Sequence, residues 1–300
     1  MRIRTPRIAA LMVTVSLLCG LGAVAGCGSQ QEQTGSSDKD ALTRRARQVA
    51  TAWDGSPAAA TWRAGYYPMG ELVQLPEGGL HDAADKQAYE KRNFLLHGTL
   101  PDAGAKVGRV RWSPSDSLTR PLVGAADSYQ SLAATHSKES PHLTVTGVKL
   151  GIMTAPTSRG PASVPAWLFT LDGYDTPLRQ AAAVRSKFPT PPIKPAHDLP
   201  GYPIEHLVRI SADGRAVSVL TLHGACDEGS VVDAWETHGS VVLAARIKHR
   251  QSSGNCTKQA LFQKVTVQLK RPLGNRVLLD GLTATPVVYR GLRGTSPGTS

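Results

Sequence analysis

Two stretches near the C-terminus alternate strictly, and this period of two constrains the chain more than any other feature. Val241, Leu243, Ala245 and Ile247 interleave with Val242, Ala244, Arg246 and Lys248, and Val265, Val267 and Leu269 interleave with Lys264, Thr266, Gln268 and Lys270. Successive side chains on a strand point to opposite faces, so each stretch predicts a strand with one apolar face. Residues 230–237 predict a further strand, and residues 216–222, apolar on both faces, predict a central one. Together they predict a small antiparallel sheet. Aromatic residues make up only 5% of the chain, which favours short strands and turns over long helices. The expected class is α+β, mainly antiparallel β-sheet with N-terminal helices and one disulfide.

Upstream, residues 39–53 predict a helix. Asp38 is placed to cap it, and Leu42, Ala46, Val49, Ala50 and Trp53 recur on one face. Arg44, Arg45 and Arg47 fall mostly on the other faces, where solvent or anionic headgroups would meet them. A second helix is expected over 81–93, with Lys86 and Glu90 four residues apart, and a weaker one over 124–134. Residues 94–100 and 106–112 read as strands on either side of the turn Pro101-Asp102-Ala103-Gly104. Residues 143–153 and 163–171 read as the arms of a hairpin. Pro165 has no N–H to give a ladder, so its arm is expected to be an edge or to bulge there. Six prolines fall within residues 188–203, a density that favours extended backbone. That stretch is the expected linker between an N-terminal α+β region, 39–187, and a C-terminal β region, 204–290. A polar tail, 291–300, follows.

The start of the chain carries an address. Arg2, Arg4 and Arg7 precede an apolar run over residues 8–18, with no acidic residue before Cys27. That run is too short to span a bilayer. Val24-Ala25-Gly26-Cys27, which ends the segment, resembles the lipobox of bacterial lipoproteins. The resemblance implies a signal peptide over 1–26 and diacylation of Cys27, which becomes the mature N-terminus. It places the body at the extracellular face of the cytoplasmic membrane, on a flexible tether over 27–38. Cys19 would leave with the signal, so Cys226 and Cys256 remain. Outside the cytoplasm such a pair is expected to be oxidised. A metal site using both thiols with His223 or His249 lacks the CxxC spacing typical of zinc.

Thr157-Ser158-Arg159-Gly160-Pro161 with Val164-Pro165-Ala166-Trp167-Leu168-Phe169 is similar to a hairpin in secreted lipoproteins of high-GC actinobacteria. So are Gly224-Ala225-Cys226-Asp227, Glu236-Thr237, Cys256 and Arg271-Pro272-Leu273-Gly274-Asn275-Arg276-Val277. The resemblance spans residues 143–288. It implies an envelope address and a disulfide, not an activity.

Formal net charge is +11, and residues 241–293 hold ten basic residues against one acid, Asp280. If both alternating strands turn their apolar sets inward, Arg246, Lys248, Lys264 and Lys270 project to solvent. As neighbours the strands would form one positive plate, with Lys258, Arg271 and Arg276 nearby. Such a plate suits anionic lipid or wall polymer, and the plainer reading is a solubilising face. Nucleic acid is not expected, because aromatic interleaving is absent.

The sequence has no Gly-x-Ser-x-Gly elbow, His-Glu-x-x-His, P-loop, dinucleotide fingerprint or EF-hand loop. No catalytic residue, metal or cofactor is therefore assigned. His81-Asp82 and His197-Asp198 read as solvated loop pairs. Asp227, Glu228, Asp233 and Glu236 read as cross-strand partners of Arg246 or Lys248 rather than calcium ligands. Trp167 reads as core rather than a sugar-stacking surface. The leading expectation is a non-catalytic binding module at the cell envelope. An envelope hydrolase with dispersed site residues and a solute-binding component are the alternatives.

Overall fold

The computed structural model describes residues 29–101, 106–248, 256–257 and 259–290, with side chains from residue 37 onward. Cys27, His249 and the tail 291–300 lie outside the described residues. The fold is α+β and mainly antiparallel.

Helix α1 (Ser29–Trp53) covers most of the stretch expected to be tether. Its apolar face is the expected one: Leu42, Ala46, Val49, Ala50 and Trp53 are all buried. Helix α2 (Pro57–Ala64) was not anticipated, although its start is legible. The Ser56 hydroxyl accepts from the Ala59 N–H at 3.1 Å, and Pro57 occupies the first turn, where its missing N–H costs nothing.

Seven strands then form one sheet: β1 (Val73–Gln74), β2 (Phe94–Leu96), β3 (Val107–Arg111), β4 (Ser117–Pro121), β5 (Leu143–Thr157), β6 (Gly160–Leu171) and β7 (Leu178–Ala181). Its order is β1-β7-β6-β3-β4, with β5 on the other side of β6 and β2 parallel to the start of β5. Alternation along β6 feeds two cores. Trp167, Phe169 and Leu171 face α3 (Ala83–Glu90) and α4 (Ala125–Leu132), while Val164 and Ala166 meet Tyr66, Val110 and Met153. The hairpin is as expected, with longer arms, but Pro165 is neither at an edge nor at a bulge. On the side of β6 away from β5, the partner changes from β3 at Ser163 to β7 at Ala166. The Pro165 carbonyl accepts from Ala182 on that side, so its missing N–H falls at the changeover between the two partner strands.

The C-terminal strands are β8 (His206–Ile210), β9 (Ala216–Gly224), β10 (Ser230–Glu236), β11 (Ser240–Ile247), β12 (Ala260–Gln268) and β13 (Val277–Asp280). They form two three-stranded sheets, β10-β11-β13 and β12-β9-β8, rather than one. β9 is central, as expected. β11 is buried on both faces from Val241 to Ala245, because α1 packs on the same sheet and β13 runs parallel beside it. Its inward alternation is therefore hidden behind a second apolar set.

The Cys226–Cys256 disulfide joins the turn after β9 to the lead-in of β12, across a sequence separation of 30. The bridged loop contains β10 and β11, while both bridged ends flank the neighbouring strands β9 and β12 of one sheet. Reduction is expected to lower stability by about 3–4 kcal/mol in the chain-entropy account. Urea midpoints with and without reductant measure it; coincident midpoints would remove the bond's role.

The first residues of the expected N-terminal region belong with the C-terminal strands. Ala46, Val49, Trp53, Ala59, Trp62 and Tyr67 share a core with Val219, Leu243, Leu278 and Val287. The proline-rich stretch runs over that same body: Ile193 packs against its core, and Ala196 N–H donates to Leu282. This core is distinct from the two that β6 feeds, and the chain passes from it to the core of Val110, Met153 and Val164 at Tyr66-Tyr67. These adjacent, fully buried rings point into different cores, Tyr66 into one and Tyr67 into the other.

Candidate functional site

The expected basic plate does not assemble from neighbouring strands. Arg246 and Lys248 belong to β11 and the residues after it, whose neighbours are β10 and β13; Lys264 lies on β12 and Lys270 just beyond, beside β9. Arg246 Nε pairs with Asp233 Oδ2 at 3.2 Å, and Lys248 Nζ with Glu228 Oε2 at 3.8 Å, so local acids offset both cations. Exposed pairs of this kind contribute about 0–1 kcal/mol. Lys264 and Lys270 are exposed.

Arg276, placed near the plate by sequence, is internal. Its Nη1 pairs with Glu236 Oε2 at 2.9 Å, the side chains being 6% and 8% exposed, and its Nη2 donates to the Arg271 and Pro272 carbonyls. Burial opposes ionisation of Glu236. The Lys270 backbone N–H and the Arg276 guanidinium outweigh it and hold the carboxyl below its ordinary value. The four acids thus have separate tasks, since Asp227 accepts from the Gly224 N–H in the turn at 2.8 Å.

Arg45 also departs from expectation, because it is buried rather than solvated. It donates to the carbonyls of Lys194, Gly281 and Leu282. Next to it, Asp280 accepts from the N–H groups of Ile204, Leu282 and Thr283. Together they fasten α1 to the turn after β13. Trp167 is core, 1% exposed, with Nε1 donating to Val123 O at 2.8 Å. His81 stacks on Tyr174 at 4.0 Å, and Asp82 caps α3, so that sequence pair is structural. His197 and Asp198 are exposed. Among the described residues no group of three or more His, Cys, Asp and Glu is placed to hold a metal.

The remaining chemistry gathers where the cores of Tyr66 and Tyr67 meet. Trp62, Tyr67 and Phe188 form a ladder of near-parallel rings, with centroids 4.1 and 5.6 Å apart. The Arg185 guanidinium lies 4.3 Å above the Phe188 ring. Arg120 is occupied in holding the Val184 and Arg185 carbonyls. Arg185 Nε and His206 Nε2, however, are buried and have no hydrogen-bond partner. A stack engages the face of a guanidinium and leaves its in-plane N–H groups to be satisfied. Leu207 bridges Tyr289 in parallel, and alternation about that bridge puts His206 and Arg290 on the same face as diagonal neighbours. Burial, then the Arg290 charge, push both Arg185 and His206 below their ordinary values. Glu205 opposes this at His206, and Glu71 is engaged with the Tyr289 hydroxyl.

No sequence motif marks this cluster. Its members come from residues 185, 206 and 290, and the sequence signal was at most the local Arg185-Ser186-Lys187-Phe188 run. Comparison with protein-family models, curated proteins and solved structures found no match.

Proposed function

We propose that this chain is a lipid-anchored lipoprotein of the cell envelope, of the secreted actinobacterial kind its motifs resemble, and that its folded body is a binding module for anionic envelope material. The observation that carries the reading is the Cys226–Cys256 disulfide, which fits an oxidising compartment and agrees with the export signal ending at Cys27. The net charge of +11, which becomes +8 once Arg2, Arg4 and Arg7 leave with the signal, supports an anionic partner, lipid headgroup or wall polymer. Two acyl chains on Cys27, each buried methylene contributing about 0.8 kcal/mol, would anchor the body stably.

Cys27→Ala is expected to move the protein out of the membrane fraction, into the medium or into an unprocessed precursor pool. Fractionation with immunoblotting reads this directly. Undiminished retention in membranes would refute the anchor.

A further inference from the structure

We infer that Arg185, His206 and Arg290 form a binding site for an oxyanion, a phosphate group in particular, at the seam between the cores of Tyr66 and Tyr67. The inference rests on the binding-module reading and gives it a place and a ligand chemistry. A buried guanidinium is ordinarily paired with a carboxylate or fully hydrogen-bonded, because leaving it bare forfeits hydration without replacement. Arg185 is only partly buried, but its Nε is shielded without a hydrogen-bond partner, it makes no ion pair among the described residues, and the charge that acts on it is that of a second arginine, Arg290. His206 Nε2 is the second shielded, unpartnered nitrogen. Arg290 is exposed and has no ion-pair partner among the described residues. One anion among these three would relieve the repulsion and accept from fixed donors, and guanidinium forks match phosphate geometry.

The site is also held rigid. Phe188 and Tyr67 support Arg185 from below, and Tyr67 is itself tied by its hydroxyl to Lys187 O at 2.8 Å. Tyr66 and Ser186 exchange hydrogen bonds, pinning the segment that carries Arg185. The Leu207 N–H donates to Val288 O at 2.9 Å and fixes Arg290 beside β8. Glu205 lies at the margin beside His206, and it would disfavour a larger polyanion more than a single phosphate.

The full chain carrying Cys27→Ala, which removes the anchor's own affinity for lipid, is titrated with inorganic phosphate against chloride at matched ionic strength. A second arm uses vesicles of anionic phospholipid against neutral ones. Phosphate binding that Arg185→Gln weakens at least about tenfold, and that Arg290→Gln weakens as well, is the expected result. Arg290 is exposed, so its variant should fold even if that of Arg185 does not. Binding to anionic vesicles alone, lost in both variants, would assign the phosphate to a headgroup. Phosphate or vesicle binding unchanged in both variants would overturn the site while leaving the anionic-partner reading intact. Absence of binding in both arms would overturn the site and that partner chemistry, whereas the address is decided separately by fractionation of the single Cys27→Ala protein.

Discussion

Replacing Trp53 with alanine is expected to lower the unfolding free energy by about 3–5 kcal/mol, the usual cost of emptying a large aromatic site in a packed core. Trp53 is fully buried in the core shared by α1 and the C-terminal strands. Its Nε1 donates to Ala284 O at 2.9 Å, and Ala284 is held at a positive φ of 58° that alanine seldom adopts. The substitution therefore removes ring contacts and frees the carbonyl that steadies an unfavourable turn. At about 2–4 °C per kcal/mol for a body of this size, the melting temperature should fall by roughly 6–20 °C. Trp53→Phe, which keeps most of the apolar area, should cost distinctly less. Calorimetry and urea midpoints check both. A main transition unmoved by Trp53→Ala would mean that α1 is an appendage, contrary to the shared core.

Arg276→Met is expected to be comparably damaging, for an electrostatic reason. It leaves the Glu236 carboxylate nearly buried with the Lys270 N–H, at 2.7 Å, as its principal remaining donor. Removing one partner of a buried pair costs about 3–5 kcal/mol, largely from the stranded charge. The double substitution Glu236→Gln/Arg276→Met should recover much of that loss, and a double-mutant cycle measures the coupling. The pair also shapes acid stability. The folded carboxyl is held below its ordinary 4.5, so the unfolded chain binds the extra proton in the intervening range. The stabilisation is then complete above about 4.5 and is lost as pH falls through the folded value. Below pH 4.5 wild type should lose stability more steeply than Glu236→Gln. Parallel acid curves would show that Glu236 is not held by its partners.

Legibility in the sequence followed the range of the interaction involved. Leu42, Ala46, Val49, Ala50 and Trp53 were readable because helix geometry brings residues three and four apart to one face. The β5–β6 hairpin was readable because its turn lies between its arms. The acid partners of Arg246 and Lys248 were foreseen because they lie on, or just before, the neighbouring strand. Arg45 was misplaced because an arginine bound to three carbonyls and one in water look alike in a helical pattern. The plate of Arg246, Lys248, Lys264 and Lys270 was misdrawn because alternation gives each strand a face but no neighbour, and β13 arrived in parallel beside β11 from outside that local pattern.

What the sequence alone determined was local and compositional: which segments are strands or helices, which face of each is apolar, and that Cys226 and Cys256 join. Tertiary structure decided the rest. It split the C-terminal strands into two sheets, gave the first helices to a core built from the far end of the chain, and set His206 diagonal to Arg290 across the Leu207–Tyr289 bridge. Those outcomes depend on contacts between residues that lie from some tens to more than two hundred positions apart. Such contacts are selected by which apolar faces fit and which buried charges find partners, and no local period records them.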